Sequence, residues 1–205
     1  SMVEVSPHRP AAGYVAAKRY QSDDRAPYAY KTEDYGKTWT KIVNGIAPKD
    51  FVHVVREDVV RPGLLFAGTE HSVYISFDDG ANWKRFQQNL PLSVQVADLV
   101  IKDNDLVLGT HGRSAYIMDN IAQLRQVNPA IVAANTHLFD PTDATRGVDQ
   151  GVTINYYLKS SGQKVDLDIV DARGNVIRSF SSADTANAGG RGGRAGGGGE
   201  EGGGG

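Results

Sequence analysis

Thr32-Glu33-Asp34-Tyr35-Gly36-Lys37-Thr38-Trp39 and Ser76-Phe77-Asp78-Asp79-Gly80-Ala81-Asn82-Trp83 carry a hydroxyl, an Asp, a Gly and a Trp at the same offsets, and their Trp residues stand 44 positions apart. That spacing is the length of one four-stranded propeller blade, so repetition decides the fold. Each repeated residue has a reason in turn chemistry. Asp34 and Asp78 can accept backbone N–H groups inside a turn, and Thr32 and Ser76 can do the same from the strand. Gly36 and Gly80 supply the positive φ that a tight turn demands. Trp39 and Trp83 offer a large apolar face with an N–H at its edge, suited to packing between blades.

Outward from the two hairpins the chain divides into short β-rich runs. The first pass reads Val3 to Ser6, Gly13 to Ala17, Pro27 to Lys31 and, beyond the hairpin, Trp39 to Val43. The second reads Phe51 to Val55, Leu64 to Thr69, Val73 to Ser76 and Trp83 to Phe86. A third begins with Val94 to Ile101, Leu106 to Thr110 and Ala115 to Met118. There the pattern stops: Met118-Asp119-Asn120 stands in the hairpin's place, and Ile121 to Arg125 reads as a short helical turn. The expectation is an all-β chain, with a partial propeller of two full blades and one incomplete blade over residues 3–126. A connector follows over 127–150. Residues 151–182 then alternate with period two, as in a β-sandwich-like segment. Twelve of the 23 residues from Ala183 to Gly205 are glycine, half of the 24 in the chain, which predicts a disordered linker.

Composition excludes several functions. A net charge of −2 gives no general attraction to nucleic acid or membrane, and no apolar run approaches a spanning helix. With no cysteine there is no disulfide or thiol chemistry. The five histidines, at 8, 53, 71, 111 and 137, lack metal-ligand spacing, and Asp103-Asn104-Asp105 lacks the Gly and distal Glu of a calcium loop. Neither a metal nor a cofactor is read from the chain. Ser1-Met2 opens no signal segment.

The pattern Ser/Thr-x-Asp-x-Gly-x-x-Trp resembles the Asp-box, or BNR, repeat of sialidases, sortilin-type receptors and certain propeller glycoside hydrolases. Gly68-Thr69-Glu70 and Gly109-Thr110-His111-Gly112-Arg113 are similar to large bacterial Asp-box proteins, described as sortilin-like or as glycosyl hydrolases. That resemblance, over about residues 3–182, implies C-terminal blades followed by β-sandwich modules, and a secreted or periplasmic parent protein. It also implies that the boxes, Thr32, Asp34, Gly36 and Trp39 with Ser76, Asp78, Gly80 and Trp83, are scaffold. The Arg clusters and acid pairs of sialidases find no residue-by-residue match.

Topology points to the opposite face. Strands alternate direction in an antiparallel blade, so the loops between second and third strands lie across from the boxes and share a face with the links between blades. Arg19, Arg25, His71, His111 and Arg113 are the ligand-binding candidates there, since Arg suits carboxylate or phosphate. Glu70, with Asp23 or Asp24 from the neighbouring blade, is the only acid pair that could flank a glycosidic bond. Two functions follow: a non-catalytic binding or scaffold segment contacting a peptide, glycan or partner chain, or part of a glycoside hydrolase. The partners expected are a protein or carbohydrate ligand, the remaining blades of a longer parent chain, and a second copy joined through open blade edges.

Overall fold

The computed structural model describes residues 1–143 and 151–183. It is all-β, built from small antiparallel sheets. The first blade orders β1 (Met2–Val5), β2 (Gly13–Ala16), β3 (Ala29–Thr32) and β4 (Thr40–Lys41) side by side. The second repeats this with β5 (Val52–Glu57), β6 (Leu65–Thr69), β7 (Val73–Ser76) and β8 (Lys84–Arg85). The third holds β9 (Val96–Lys102), β10 (Asp105–Thr110) and β11 (Ala115–Met118), and among the described residues no fourth strand joins it.

The hairpins form by the chemistry read above. Asp34 Oδ1 accepts the Thr38 N–H at 2.8 Å, and Asp78 Oδ1 accepts the Asn82 N–H at 2.8 Å. Thr32 Oγ1 and Ser76 Oγ accept the N–H of Gly36 and Gly80, both at 2.9 Å. Register then aligns the blades: Val3 faces Val15 as Val55 faces Ala67, and Tyr30 faces Lys41 as Tyr74 faces Arg85.

The core lies between blades. Tyr14, Ala16, Ala29 and Ile42 of the first meet Val55, Leu65, Ala67, Tyr74 and Trp83 of the second. Phe66, Val73 and Ile75, on the other side of that second sheet, meet Val96, Leu99, Leu106 and Leu108 of the third. Successive side chains of a strand point to opposite faces, so a sheet covered on both sides must be apolar throughout. β6 and β7 are buried at every position. The outward faces of the flanking blades contrast with this: Val3 is 65% exposed and Ile117 61%, where their counterparts Val55 and Ile75 are 2% and 4%. Across the inner strands runs a charge ladder, with Arg56 Nη1 2.5 Å from Glu4 in one neighbouring blade and Arg56 Nη2 3.2 Å from Asp98 in the other.

After β11 the chain turns at Asn120, whose N–H donates to Asp105. It buries Ile121 and enters α1 (Ala122–Gln126). Asn128 caps α2 (Pro129–Ala133) by accepting the Ile131 N–H, with proline in the first turn where its missing N–H costs nothing. β12 (Thr136–Leu138) pairs with β13 (Tyr156–Leu158). The period-two run expected from Val152 is thus strand only at its end, and its partner is β12.

The chain divides into two compact units, Ser1–Tyr157 and Leu158–Gly205. In the second, β14 (Asp166–Val170) and β15 (Val176–Ser181) form a hairpin. Asp171 accepts the Asn175 N–H at 2.9 Å and its side-chain N–H at 3.0 Å, the same two bonds that Asp78 takes from Asn82. The expected linker, apart from Ala183, and the end of the connector lie outside the described residues.

Candidate functional site

On the face away from the boxes, the link into β5 and the loop after β6 come together. Glu70 donates its backbone N–H to the Phe51 carbonyl at 3.1 Å, which brings its side chain to His53. The Glu70 Oε2 to His53 Nε2 distance is 2.9 Å, and Gln95 Nε2 approaches the same ring nitrogen at 3.4 Å. His53 is 4% exposed, and its buried Nδ1 has no hydrogen-bond partner among the described residues. Burial pushes the imidazole below its ordinary value, against the pull of Glu70. Phe51 packs on the His53 ring at 5.0 Å, and Tyr20 stacks on Phe51 at 5.2 Å. The result is a half-exposed carboxylate backed by a buried histidine, beside an aromatic pair.

The other candidates show different degrees of fixation. Asp24 accepts the Tyr28 hydroxyl at 2.7 Å and the Ala26 N–H at 3.1 Å, and these bonds hold its carboxyl below the usual range. Arg19 lies 3.3 Å from Asp24 and over the Tyr28 ring. Asp23 occupies a left-handed turn position and is exposed, as is Arg25. His71 Nδ1 is 3.2 Å from Ser93 Oγ, and its backbone N–H donates to Asp50 at 3.0 Å. His111 is anchored by its backbone to Gln95 at 3.0 Å while its side chain, like that of Arg113, is exposed. Glu70 and His111 therefore hold equivalent positions, each tied through its N–H to the link that opens its blade.

His53 and Gln95 were not among the residues singled out from sequence. The available signal was a lone histidine inside the apolar run Phe51 to Val55, in a strand whose register shifts between Val52 and Val54. The box face also holds more charge than sequence suggested. Asp79, next to the turn Asp78, accepts Arg9 at 2.9 and 3.0 Å, the Tyr14 hydroxyl at 2.5 Å and Lys31 at 3.1 Å. Burial raises the Asp79 carboxyl, but those three donors outweigh it and hold it below the ordinary range. Burial, with the bond to Asp79, pushes the Tyr14 phenol well upward. Glu57, wholly buried, stands 3.7 Å from Arg9 and accepts the Gly63 N–H at 2.9 Å. This cluster is a clamp between blades, made of residues up to 70 positions apart. Among the described residues no group of three or more His, Asp or Glu side chains could hold a metal ion.

No family model matches the chain, and no curated protein matches it. Sixteen chains of solved structures are similar in part, two GH74 enzymes among them. An ancestral GH74 enzyme aligns at 18% identity and a TM-score of 0.45, over 55% of this chain and 13% of that one. The GH74 xyloglucanase from Xanthomonas campestris aligns at 18% identity and 0.45, over 66% of this chain and 22% of that one. The chain thus spans less than a quarter of the length of either.

Proposed function

We propose that this chain is a binding segment of an Asp-box propeller protein, secreted or periplasmic, that contacts an anionic ligand through the face bearing Arg19, Arg25, His71, His111 and Arg113. One observation carries the reading: Asp24 and Glu70 on that face are already engaged, while Arg25, His71, His111 and Arg113 are exposed. A glycosidase needs one carboxyl kept protonated by its surroundings and a second placed to attack or to activate water. Asp24 is instead stabilised as the anion by fixed donors, and Glu70 is held by His53. Exposed guanidinium groups suit a carboxylate, whether of an acidic glycan or of a peptide. Titrating the chain with acidic and neutral oligosaccharides and with acidic peptides tests this. Saturable binding of an acidic probe, weakened by Arg19→Glu and Arg113→Glu together, is the expected result, and no preference for acidic probes would overturn it.

A second reading, part of a glycoside hydrolase, is favoured by the His53–Glu70 pair, because a buried histidine against a carboxylate is a usable proton relay. Turnover of a glycoside panel that disappears in Glu70→Gln would make this reading the better one.

A further inference from the structure

We infer that the third blade is completed by an extended strand from a partner, which pairs with the edge of β11 and inserts an aromatic side chain into a cavity between the second and third blades. The first interface supplies the template. There Trp83 packs with Ile42, Leu65, Ala67 and Tyr74, and its indole N–H donates to the Ile42 carbonyl at 2.9 Å.

Register transfers each of these contacts to the second interface. Leu106 and Leu108 stand where Leu65 and Ala67 do, and Tyr116 faces Leu108 as Tyr74 faces Ala67. The Phe86 N–H donates to the Val73 carbonyl at 2.8 Å as that of Ile42 donates to Ala29 at 2.8 Å, so the Phe86 carbonyl takes the place of the indole's acceptor. What the third blade lacks is the tryptophan. In its place is a cavity of about 210 Å³, lined by Phe86, Leu106, Leu108 and Tyr116 together with the polar Gln88 and Asn89. An apolar cavity of roughly 150 Å³ already accepts benzene, so this one has room for a larger ring.

Beside the cavity, the outer edge of β11 has no strand partner among the described residues. A free edge of this kind is a template for strand addition, in which main-chain bonds give affinity and a side-chain pocket gives selectivity. The occupant of best fit is therefore an extended peptide with Trp, followed by residues that suit an exposed outer strand. Trp83-Lys84-Arg85 and Trp39-Thr40-Lys41 are the two instances the chain itself contains.

The test uses the full chain and a synthetic peptide with the sequence of residues 78–87. Binding is followed by chemical shifts of the isotope-labelled protein. Saturable binding that moves the amides of Ala115 to Met118, and that weakens at least about tenfold when the peptide carries alanine at the Trp83 position, is expected. Leu108→Phe, which fills the cavity, should abolish binding while leaving a cooperative melt. The alanine peptide reports independently if that variant fails to fold. Absence of binding, binding indifferent to the tryptophan, or shifts confined to the Val3 and Val5 face would overturn the inference.

Discussion

Trp83 reaches out of its own blade, giving its indole N–H to the carbonyl of Ile42 at 2.9 Å, whereas Trp39 turns back on its own hairpin and gives the same group to Gly36 at 3.0 Å. The two residues share a motif and a backbone geometry. They differ in having a neighbour: Trp83 is 3% exposed and Trp39 43%. Trp83→Ala is accordingly expected to destabilise the chain by about 3–5 kcal/mol and Trp39→Ala by about 1 kcal/mol or less, as read from urea denaturation midpoints at constant slope.

The same asymmetry separates two glycines. Gly36 and Gly80 have φ of +82° and +85°, so alanine at either incurs the left-handed penalty of about 1–2 kcal/mol. At Gly80 an added Cβ would also come within 2.7 Å of Ile42 Cδ1, while at Gly36 it would meet only Trp39 at 3.5 Å. Gly80→Ala should therefore cost about 1–3 kcal/mol more than Gly36→Ala in the same denaturation experiment.

Asp79 couples the blade interface to acid. Its folded carboxyl lies below the ordinary 3.8, so the unfolded chain binds the proton more readily. The stability it contributes is present above the unfolded value and is lost as pH falls through the folded one. Asp79→Ala should lower stability at neutral pH by roughly 3 kcal/mol, because Arg9, Tyr14 and Lys31 lose a shared acceptor, and should flatten the decline below about pH 4. Acid titration of the unfolding free energy in both proteins checks it.

His53 acts in a higher window. Its folded imidazole lies below the ordinary 6.5, so the unfolded state takes up the proton first and stability falls as pH drops beneath that value. His53→Phe should remove this slope below about pH 6.5. An NMR titration placing the His53 midpoint above 6.5 would contradict the expectation.

The hairpins were legible because the side-chain bonds that shape their turns are local: Asp78 to Asn82, Ser76 to Gly80. Blade count was legible for the same reason, and Asn120 marks where the third hairpin fails. The Arg9–Asp79 clamp was not, since Asp79 in sequence is one of two adjacent turn acids and nothing local distinguishes the one that faces across the interface. His53 is similar. Its ring is read against Glu70 only after β5 and β6 have paired, 17 residues apart. Strands were placed to within a residue or two where alternation was bounded by turns. They were overlong elsewhere, as at Trp39 to Val43 and Trp83 to Phe86, of which Thr40–Lys41 and Lys84–Arg85 are strand.

The second blade, covered on both faces, has a consequence for how the molecule opens. An amide in β6 is shielded by a strand on either side and a blade above and below, so deuterium can reach it only when the whole stack comes apart. Amides of β1 and β11, each at the end of that stack, can exchange through small local excursions. Phe66 and Ala67 would then keep time for global unfolding, and the flanking strands for everything faster.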